Sequence, residues 1–350
     1  MHIDAGFKRC GLSWVVAIAA LSAAIILGGS QRAVAQSYTI TDLGTLGGTY
    51  SQAYGINASG AVTGASALAL GSHAFSFSNG KMSDLGTLGG EYSQGQGINT
   101  SGEAAGYSTL SNGQYRAFLF SNGQMTNLGT LGGNYSVAYA LNDSGQVVGS
   151  SYTSANLIHP FLYTGNKMVD LGTLGSNQPG WNNTALGINS AGQVVGYSYL
   201  ANGNFRAYLY ANGKMTDLGT LGGDWSQAYA INTSGQITGQ AYTKGNLQAH
   251  AFLYAKGEMT DLGVLNTYSA GLAINTSGVV VGEADVKNNT GFLIYHAVIY
   301  TGGKLHDLNS LIPQGSGWLL TSANSINDAG EIVGYGTIKS FQRAFLLTPK

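Results

Sequence analysis

Cysteine, proline and charge are all scarce in this chain. Of its 350 residues one is cysteine, four are proline and 9% are charged, against roughly 25% charged in an average soluble protein. The lone Cys10 excludes a disulfide framework and a cysteine metal centre. So few charges also exclude the clustered Lys and Arg that nucleic acid requires, and no nucleic-acid partner is expected.

The first 35 residues have the pattern of a secretory signal. Lys8 and Arg9 precede a 16-residue apolar run at 12–27, and Ala-Val-Ala offers small residues before position 36. An uncleaved anchor is the alternative, but the run is shorter than the roughly 20 residues of a spanning helix. We therefore predict a signal peptide over 1–35, a single mature domain over 36–350, secretion to the exterior or periplasm, and no membrane association after cleavage.

One heptapeptide recurs along the rest of the chain. Asp-Leu-Gly-Thr-Leu-Gly-Gly at 42–48 returns, intact or eroded, at spacings of 42, 43, 43, 47, 44 and 46 residues. The copies begin at Asp84, Asn127, Asp170, Asp217, Asp261 and Asp307. Such a period predicts repeated units that share one continuous core.

Each unit is predicted to contain four short strands. In the first unit they cover 51–57, 61–66, 73–77 and 81–85, and the last two are joined by an Asn-Gly turn. Every second strand carries a glycine, Gly64 in this unit, which indicates a close backbone approach or a bulge. Four antiparallel strands in about 43 residues are typical of a propeller blade.

The two ends of the chain complement each other. The last unit stops after its third strand, whereas 37–43 is a fourth strand with no unit before it. Seven Ile/Leu-Asn turns mark the units, at Asn57, Asn99, Asn142, Asn189, Asn232, Asn275 and Asn327. The sequence therefore predicts an all-β fold, a seven-bladed β-propeller in which the N-terminal strand completes the last blade and leaves no free edge.

Three motifs in fixed order carry a family resemblance. His73-Ala-Phe and His250-Ala-Phe, with Asp-Leu-Gly-Thr-Leu-Gly-Gly and Ile-Asn-x-Ser-Gly, resemble the repeat of the HAF-repeat family of predicted extracellular bacterial proteins. The match covers 37–350 and departs where Arg replaces His, as at Arg116. The resemblance implies secretion and repetition, and it brings no activity.

A cation and a carboxylate are expected to meet in most units. Counting outward from the hairpin turn places the residue that opens the third strand diagonal to the Asp that ends the fourth. The predicted structural pairs are His73 with Asp84, Arg206 with Asp217, His250 with Asp261, His296 with Asp307, and Arg343 with Asp42 across the closure. Catalysis or metal binding is the alternative, but one His per unit is too dispersed for a metal cluster, so neither a metal site nor a catalytic residue is assigned.

One large ring stands between each fourth strand and the next first strand. These predicted ligand-binding residues are Tyr50, Tyr92, Tyr135, Trp181, Trp225, Tyr268 and Trp318. They share a mouth with the variable loops between the second and third strands, which favours a binding face for a polysaccharide or a protein surface. The alternative is that each ring fills a gap between blades.

The expected function is that of a secreted, non-enzymatic binding module that needs no cofactor. Two alternatives stay open, namely a hydrolase or lyase at the channel mouth and a purely structural or adhesive scaffold. Glu91 and Asp224 directly precede the rings Tyr92 and Trp225, and they are the carboxylates that the enzyme alternative would use. Glu283, Asp285 and His306 are off-pattern charges in the sixth unit and form no recognised constellation.

Overall fold

The computed structural model describes residues 37–175 and 178–350. Strands and turns account for nearly all of this part, together with one 3₁₀ turn at Leu308–Ser310. Within it no helix is long and apolar enough to cross a membrane. The predicted signal peptide over 1–35 lies outside the described residues.

Twenty-eight strands follow one another in the described part of the chain. The first thirteen are β1 (Tyr38–Asp42), β2 (Ser51–Ile56), β3 (Val62–Ala67), β4 (Ser72–Ser78), β5 (Lys81–Asp84), β6 (Gly89–Ile98), β7 (Ala104–Leu110), β8 (Tyr115–Ser121), β9 (Gln124–Asn127), β10 (Gly132–Leu141), β11 (Val147–Thr153), β12 (Ile158–Thr164) and β13 (Lys167–Asp170). The others are β14 (Thr184–Ile188), β15 (Val194–Tyr199), β16 (Phe205–Ala211), β17 (Lys214–Asp217), β18 (Gly222–Ile231), β19 (Ile237–Thr243), β20 (Ala249–Ala255), β21 (Glu258–Asp261), β22 (Ser269–Ile274), β23 (Val280–Lys287), β24 (Leu293–Thr301), β25 (Lys304–Asp307), β26 (Trp318–Ile326), β27 (Ile332–Ile338) and β28 (Phe341–Pro349).

The strands pair in antiparallel groups of four. Groups 1 to 6 are β2–β5, β6–β9, β10–β13, β14–β17, β18–β21 and β22–β25. Groups 1 and 2 are joined into one sheet by a single parallel residue pair, Ser72 with Tyr92. Group 7 has the order β26-β27-β28-β1, and β1 pairs with β28 from Tyr38–Pro349 to Asp42–Phe345. The first described strand, β1, therefore lies at the edge of the last sheet.

Local sequence explains the short strands and tight turns. In group 1 the third and fourth strands pair from Phe75–Asp84 to Ser78–Lys81. The two residues between them, Asn79 and Gly80, both have positive φ, as a two-residue hairpin turn requires.

The core lies between neighbouring groups and is built on a repeated large side chain. The fully buried members are Phe75, Phe118, Phe161, Tyr208, Phe252 and Phe345. Each faces a second-strand glycine whose space is already taken: a Cβ on Gly64 would lie 2.0 Å from the Gln52 carbonyl oxygen. The opposite strand also shifts register there, between Ala53 and Gly55. The glycine thus marks a close approach and a bulge together.

Buried serines link one group to the next. The Ala117 amide of group 2 donates to Ser136 Oγ of group 3 at 3.0 Å, and Ser136 Oγ donates to the Gly129 carbonyl at 2.6 Å. Ser51 does the same between groups 7 and 1, accepting from the Ala344 amide at 3.0 Å. The last group is therefore held to the first by the same contact that joins its neighbours.

Candidate channel site

A channel runs between the first strands of the groups. A cavity of about 320 Å³ occupies it, and small residues such as Gly97, Ala140 and Ala230 form its waist. One longer side chain per group adjoins the waist, namely Tyr54, Gln96, Tyr139, Leu186, Tyr229, Leu272 and Asn324. The first-strand backbones approach closely there, since a Cβ on Gly55 would lie 3.1 Å from Gly97 Cα.

Asparagines form a ring of hydrogen bonds at one end of the channel. Each side-chain Nδ2 donates to the backbone carbonyl of the next asparagine, at distances from 2.8 to 3.4 Å. The ring runs through Asn57, Asn99, Asn142, Asn189, Asn232, Asn275 and Asn327 and returns to Asn57. All seven side chains are buried. We call this the asparagine end, and its cavity measures about 240 Å³.

The same asparagines also close the turn that follows each first strand. Asn232 Oδ1 accepts from the amides of Ser234 at 3.0 Å and Gln236 at 2.9 Å, and its Nδ2 donates to Gln236 Oε1 at 2.7 Å. Every polar atom of the side chain therefore has a protein partner, which leaves none for a ligand.

Tyrosine hydroxyls and glutamine amides surround the opposite end, which we call the tyrosine mouth. The Tyr54 hydroxyl donates to Gln52. The Tyr229 hydroxyl donates to Gln227 Oε1 at 2.6 Å, and Gln240 Nε2 donates to the same oxygen at 3.0 Å. The mouth therefore presents neutral donors and acceptors around an apolar waist.

Glu283 is a charged residue among the neutral side chains of this mouth. It lies part-buried on β23, and the Tyr268 hydroxyl is 3.4 Å from its Oε1. Burial raises the pKa of the Glu283 carboxyl, and hydrogen bonds from Ser322 and Tyr268 offset this only in part. Within 37–175 and 178–350 no Lys, Arg or His nitrogen lies within 4.0 Å of it. Glu283 therefore has hydroxyl partners but no counter-ion there.

The seven predicted ligand-binding rings differ widely in exposure. Tyr92 and Trp225 are exposed, at 48% and 40%. The part-buried rings are Tyr50, Tyr135, Trp181, Tyr268 and Trp318. Trp318 packs edge-on against the core residue Phe345, with 6.2 Å between ring centroids. The rings thus do not form an evenly exposed crown.

Most of these rings contact aromatic residues that the sequence reading missed. Trp181 stacks on Tyr199 at 4.9 Å, and Trp225 stacks on Phe205 at 5.0 Å. The missed partners fall in two repeated places, directly before the His or Arg of the third strand or near the end of the second strand. They include Tyr115, Tyr152, Tyr199, Phe205, Tyr242 and Tyr295. Aligning the units at the second-strand glycine would have shown them.

The predicted His–Asp pairs lie within hydrogen-bonding distance. Nδ1 of His73 and of His250 are 2.9 and 2.8 Å from their aspartates, Asp84 and Asp261, and His296 Nδ1 is 2.6 Å from Asp307. His159 adds a further pair, at 2.8 Å from Asp170.

Two aspartates of these pairs have altered acidity. Burial works to raise the pKa of Asp307, but hydrogen bonds from His296 and Asn309 outweigh it and hold the pKa below its ordinary value. The pKa of Asp170 is lowered in the same way: burial is outweighed by hydrogen bonds from His159 and the Gly172 amide. In both cases the histidine and the aspartate lie on neighbouring strands of a single group.

The two arginines that were predicted to pair with an aspartate behave differently. Arg206 Nε lies 4.0 Å from Asp217, at the limit of an ion pair. Arg343 does not pair with Asp42 as predicted. Its longer side chain reaches past that position, and Nη1 donates to the Thr49 carbonyl at 2.7 Å while the guanidinium stands 5.0 Å from the Phe341 ring centre. Asp42 instead accepts from the Gly44 amide at 2.8 Å.

The carboxylates considered for an enzyme have simple surroundings. Glu91 and Asp224 are both exposed, and Asp224 Oδ2 accepts from Asn246 Nδ2 at 2.5 Å. Asp285 is buried and accepts from the amides of Thr267 and Tyr268, both at 2.7 Å. Asp285 therefore fixes the chain that enters group 6.

Solved structures show which fold this is. The β-propeller domain of the trilobed protease from Pyrococcus furiosus, described as having an open velcro topology, is similar at TM-score 0.56 and 10% identity over 86% of this chain and 97% of that one. The acylaminoacyl peptidase of Pyrococcus horikoshii is similar at TM-score 0.50 and 9% identity, over 87% of this chain and 52% of that one. Dipeptidyl peptidase 4 of Porphyromonas gingivalis gives TM-score 0.47 and 10% identity, over 88% and 53%.

The first two likenesses, together with the strand pairing, establish an all-β, propeller-like fold of repeated four-stranded antiparallel units. The chain spans about half the length of the two named peptidases. No family model matches the chain, and no curated protein matches it.

The same comparisons correct the functional expectation. The prediction of a non-enzymatic module that binds polysaccharide or another surface ligand through its aromatic face is wrong, because the structures that share this fold include the propeller domain of a protease and an acylaminoacyl peptidase. The ring contacts supply a physical reason, since one face of Trp181 and one face of Trp225 are covered by protein rings. The hydrolase alternative fits these findings better.

Proposed function

We propose that the groups form a closed propeller of seven blades, with β1 completing the seventh. The asparagine ring supports this, because its seven hydrogen bonds return to their starting residue. The Ser51 contact between groups 7 and 1 gives further support.

We propose that this chain is a propeller of the peptidase type, which receives a peptide at the tyrosine mouth for a peptidase-like hydrolase. The observation that carries the proposal is the asymmetry of the channel. The asparagine end has its side-chain hydrogen bonds satisfied, whereas the tyrosine mouth keeps hydroxyls, amides and one carboxylate around an opening. The propeller domain of the trilobed protease supports peptide as the class of substrate.

A peptide suits the chemistry of this mouth. Its backbone offers alternating donors and acceptors, which phenol and amide groups bind directly. Its side chains include apolar groups that match the waist between Gly97, Ala140 and Ala230. In this proposal the chain admits the peptide, and the peptide bond is broken outside the channel.

We also propose that the chain is exported and belongs to the HAF-repeat proteins. The basic start, the apolar run and the small residues before position 36 support export. Fractionation of expressing bacteria, with N-terminal sequencing of the product, tests it. A product that starts near residue 36 in the periplasm or medium is expected, and one that keeps residue 1 in the cytoplasm would refute export.

Photo-crosslinking tests the proposed function. An unstructured peptide with one benzoylphenylalanine is irradiated with the purified protein, and the linked residues are mapped by mass spectrometry. We expect saturable links to Tyr54, Tyr139 or Tyr229 that an unlabelled peptide displaces. Links confined to the asparagine end or the outer strands, or no saturable linking, would refute the proposal.

A matched pair of variants sharpens the same test. Tyr54→Phe with Tyr229→Phe removes two mouth hydroxyls and should weaken peptide binding several-fold. Tyr210→Phe removes a hydroxyl from a third strand and should leave binding unchanged. Equal affinities in all three proteins would show that the mouth does not hold the peptide.

A further inference from the structure

Glu283 breaks a repeated pattern at the tyrosine mouth. It directly follows the second-strand glycine of group 6, at Gly282. The residues at this position in the other groups are all neutral, namely Ala65, Tyr107, Ser150, Tyr197, Gln240 and Tyr335. Because the fold accepts six neutral residues there, it does not itself require a carboxylate.

The surroundings of Glu283 belong to the two adjoining groups as well as its own. The Tyr268 hydroxyl of group 6 lies 3.4 Å from Oε1. Tyr229 of group 5 and Tyr335 of group 7 are near enough for its charge to raise the pKa of each phenol. The Ser322 hydroxyl of group 7, which donates to Asn324 Oδ1 at 2.8 Å, also acts to lower the pKa of the carboxyl. Glu283 therefore stands among phenols and a hydroxyl, with no positive group of the described chain beside it.

Such an environment has an electrostatic preference. A part-buried carboxylate without a counter-ion has lost hydration that hydroxyls restore incompletely. A cation that enters the mouth would replace the lost hydration with charge-assisted hydrogen bonds to the carboxylate. The faces of the tyrosine rings attract the same cation. An anion would be repelled by the same carboxylate.

We propose that Glu283 is a specificity residue that binds an ammonium or guanidinium group of the incoming peptide. The inference rests on the proposed function, because it deepens the substrate class at the same mouth. The carboxylate receives the cation, and the tyrosines beside it exclude water from the contact. Peptides with a basic side chain or a free amino terminus are then preferred over neutral ones.

Four peptides of one neutral sequence test this. One is capped at both ends, one is capped and carries a single lysine, one has a free amino terminus, and one is capped and carries a single glutamate. Affinity is measured by calorimetry at neutral pH. We expect the lysine or the free-amine peptide to bind roughly tenfold more tightly than the capped neutral one, and the glutamate peptide more weakly. The two cationic peptides distinguish a side chain from an amino terminus.

Glu283→Gln supplies the decisive variant. Glutamine keeps the size and can still hydrogen-bond to Tyr268, so folding should be preserved, as circular dichroism would check. The variant should bind the capped neutral peptide as the parent does and lose the tenfold preference. The exposed Glu91→Gln is the matched control and should keep that preference.

The outcomes separate this inference from the proposed function. If neutral peptides bind at the mouth but Glu283→Gln leaves the preference unchanged, or if no cationic preference exists, the role of Glu283 is refuted alone. If no peptide binds at all, the proposed function fails first.

Discussion

The two ends of the channel are built from the same repeat, but one end has the same residue type in every group and the other does not. At the asparagine end one residue type recurs in every group, and its side chain spans to the next group. At the tyrosine mouth the residue that follows the second-strand glycine differs from group to group and is Ala, Tyr, Ser, Gln or Glu. Repetition with full hydrogen bonding builds the ring, whereas varied polar side chains around an opening offer a surface for a ligand. Stability and function should therefore respond to substitutions at different ends.

The largest effect is expected at the asparagine end. Asn232→Ala removes four hydrogen bonds from a buried side chain and leaves the Asn275 carbonyl with one partner fewer. We expect a loss of about 2–4 kcal/mol in the free energy of unfolding. Denaturant titration measures it, with Gln227→Ala at the tyrosine mouth as the matched control, for which we expect a loss of about 1 kcal/mol or less. Equal losses in the two variants would remove the contrast between the ends.

A smaller loss is expected where two groups meet. Ser136→Ala deprives the Ala117 amide of its acceptor and the Gly129 carbonyl of a donor. Since Ser136 is fully buried, the free energy of unfolding should fall by about 1–3 kcal/mol. Ser144→Ala, on an exposed turn, serves as the control. A loss no greater than that of the control would show that these serines do not join the groups.

A gain is expected at one core position. Tyr208 replaces the phenylalanine of other groups, and its buried hydroxyl has no hydrogen-bond partner in the described structure. Tyr208→Phe removes an unsatisfied polar group and should raise the free energy of unfolding by about 1 kcal/mol. Thermal unfolding measures the shift. A variant less stable than the parent would mean that the hydroxyl is bonded in solution.

The smallest effect should depend on pH. Because the pKa of Glu283 is raised in the folded protein, the folded state keeps a proton that the unfolded chain releases above about pH 4. Glu283 therefore contributes a loss of stability to the parent as pH rises through this range, and Glu283→Gln lacks this contribution. The variant should gain stability relative to the parent between pH 4 and pH 7, measured by denaturant titration at each pH. A difference that stays constant with pH would contradict the raised pKa.

Much of the fold followed from repetition in the sequence. The Asn79-Gly80 turn sets the pairing of Phe75 with Asp84, and this local count also placed His73 beside Asp84. Each second-strand glycine marked a close approach because no Cβ fits there. These features depend on neighbours within one unit, so one copy of the repeat was enough to predict them.

The site was harder to predict because it depends on contacts between units. The covering of Trp225 by Phe205 joins groups 5 and 4, which no pattern within a unit reveals. Arg343 missed Asp42 because a long flexible side chain can reach the Thr49 carbonyl of the next group. Glu283 was noticed as off-pattern, but its three tyrosine neighbours come from three groups. In each of these cases a side chain of one group contacts or faces a residue of a neighbouring group, which the pattern within a single unit does not predict.

The most direct test of the account is a paired measurement on Asn232→Ala and Glu283→Gln. Each protein is assayed for its free energy of unfolding and, at a temperature where both are folded, for its affinity toward the lysine-containing peptide. We predict that Asn232→Ala loses stability and keeps its affinity, whereas Glu283→Gln loses no stability and loses roughly tenfold in affinity. If Asn232→Ala weakens peptide binding as much as Glu283→Gln does, the division between a structural end and a functional end is wrong.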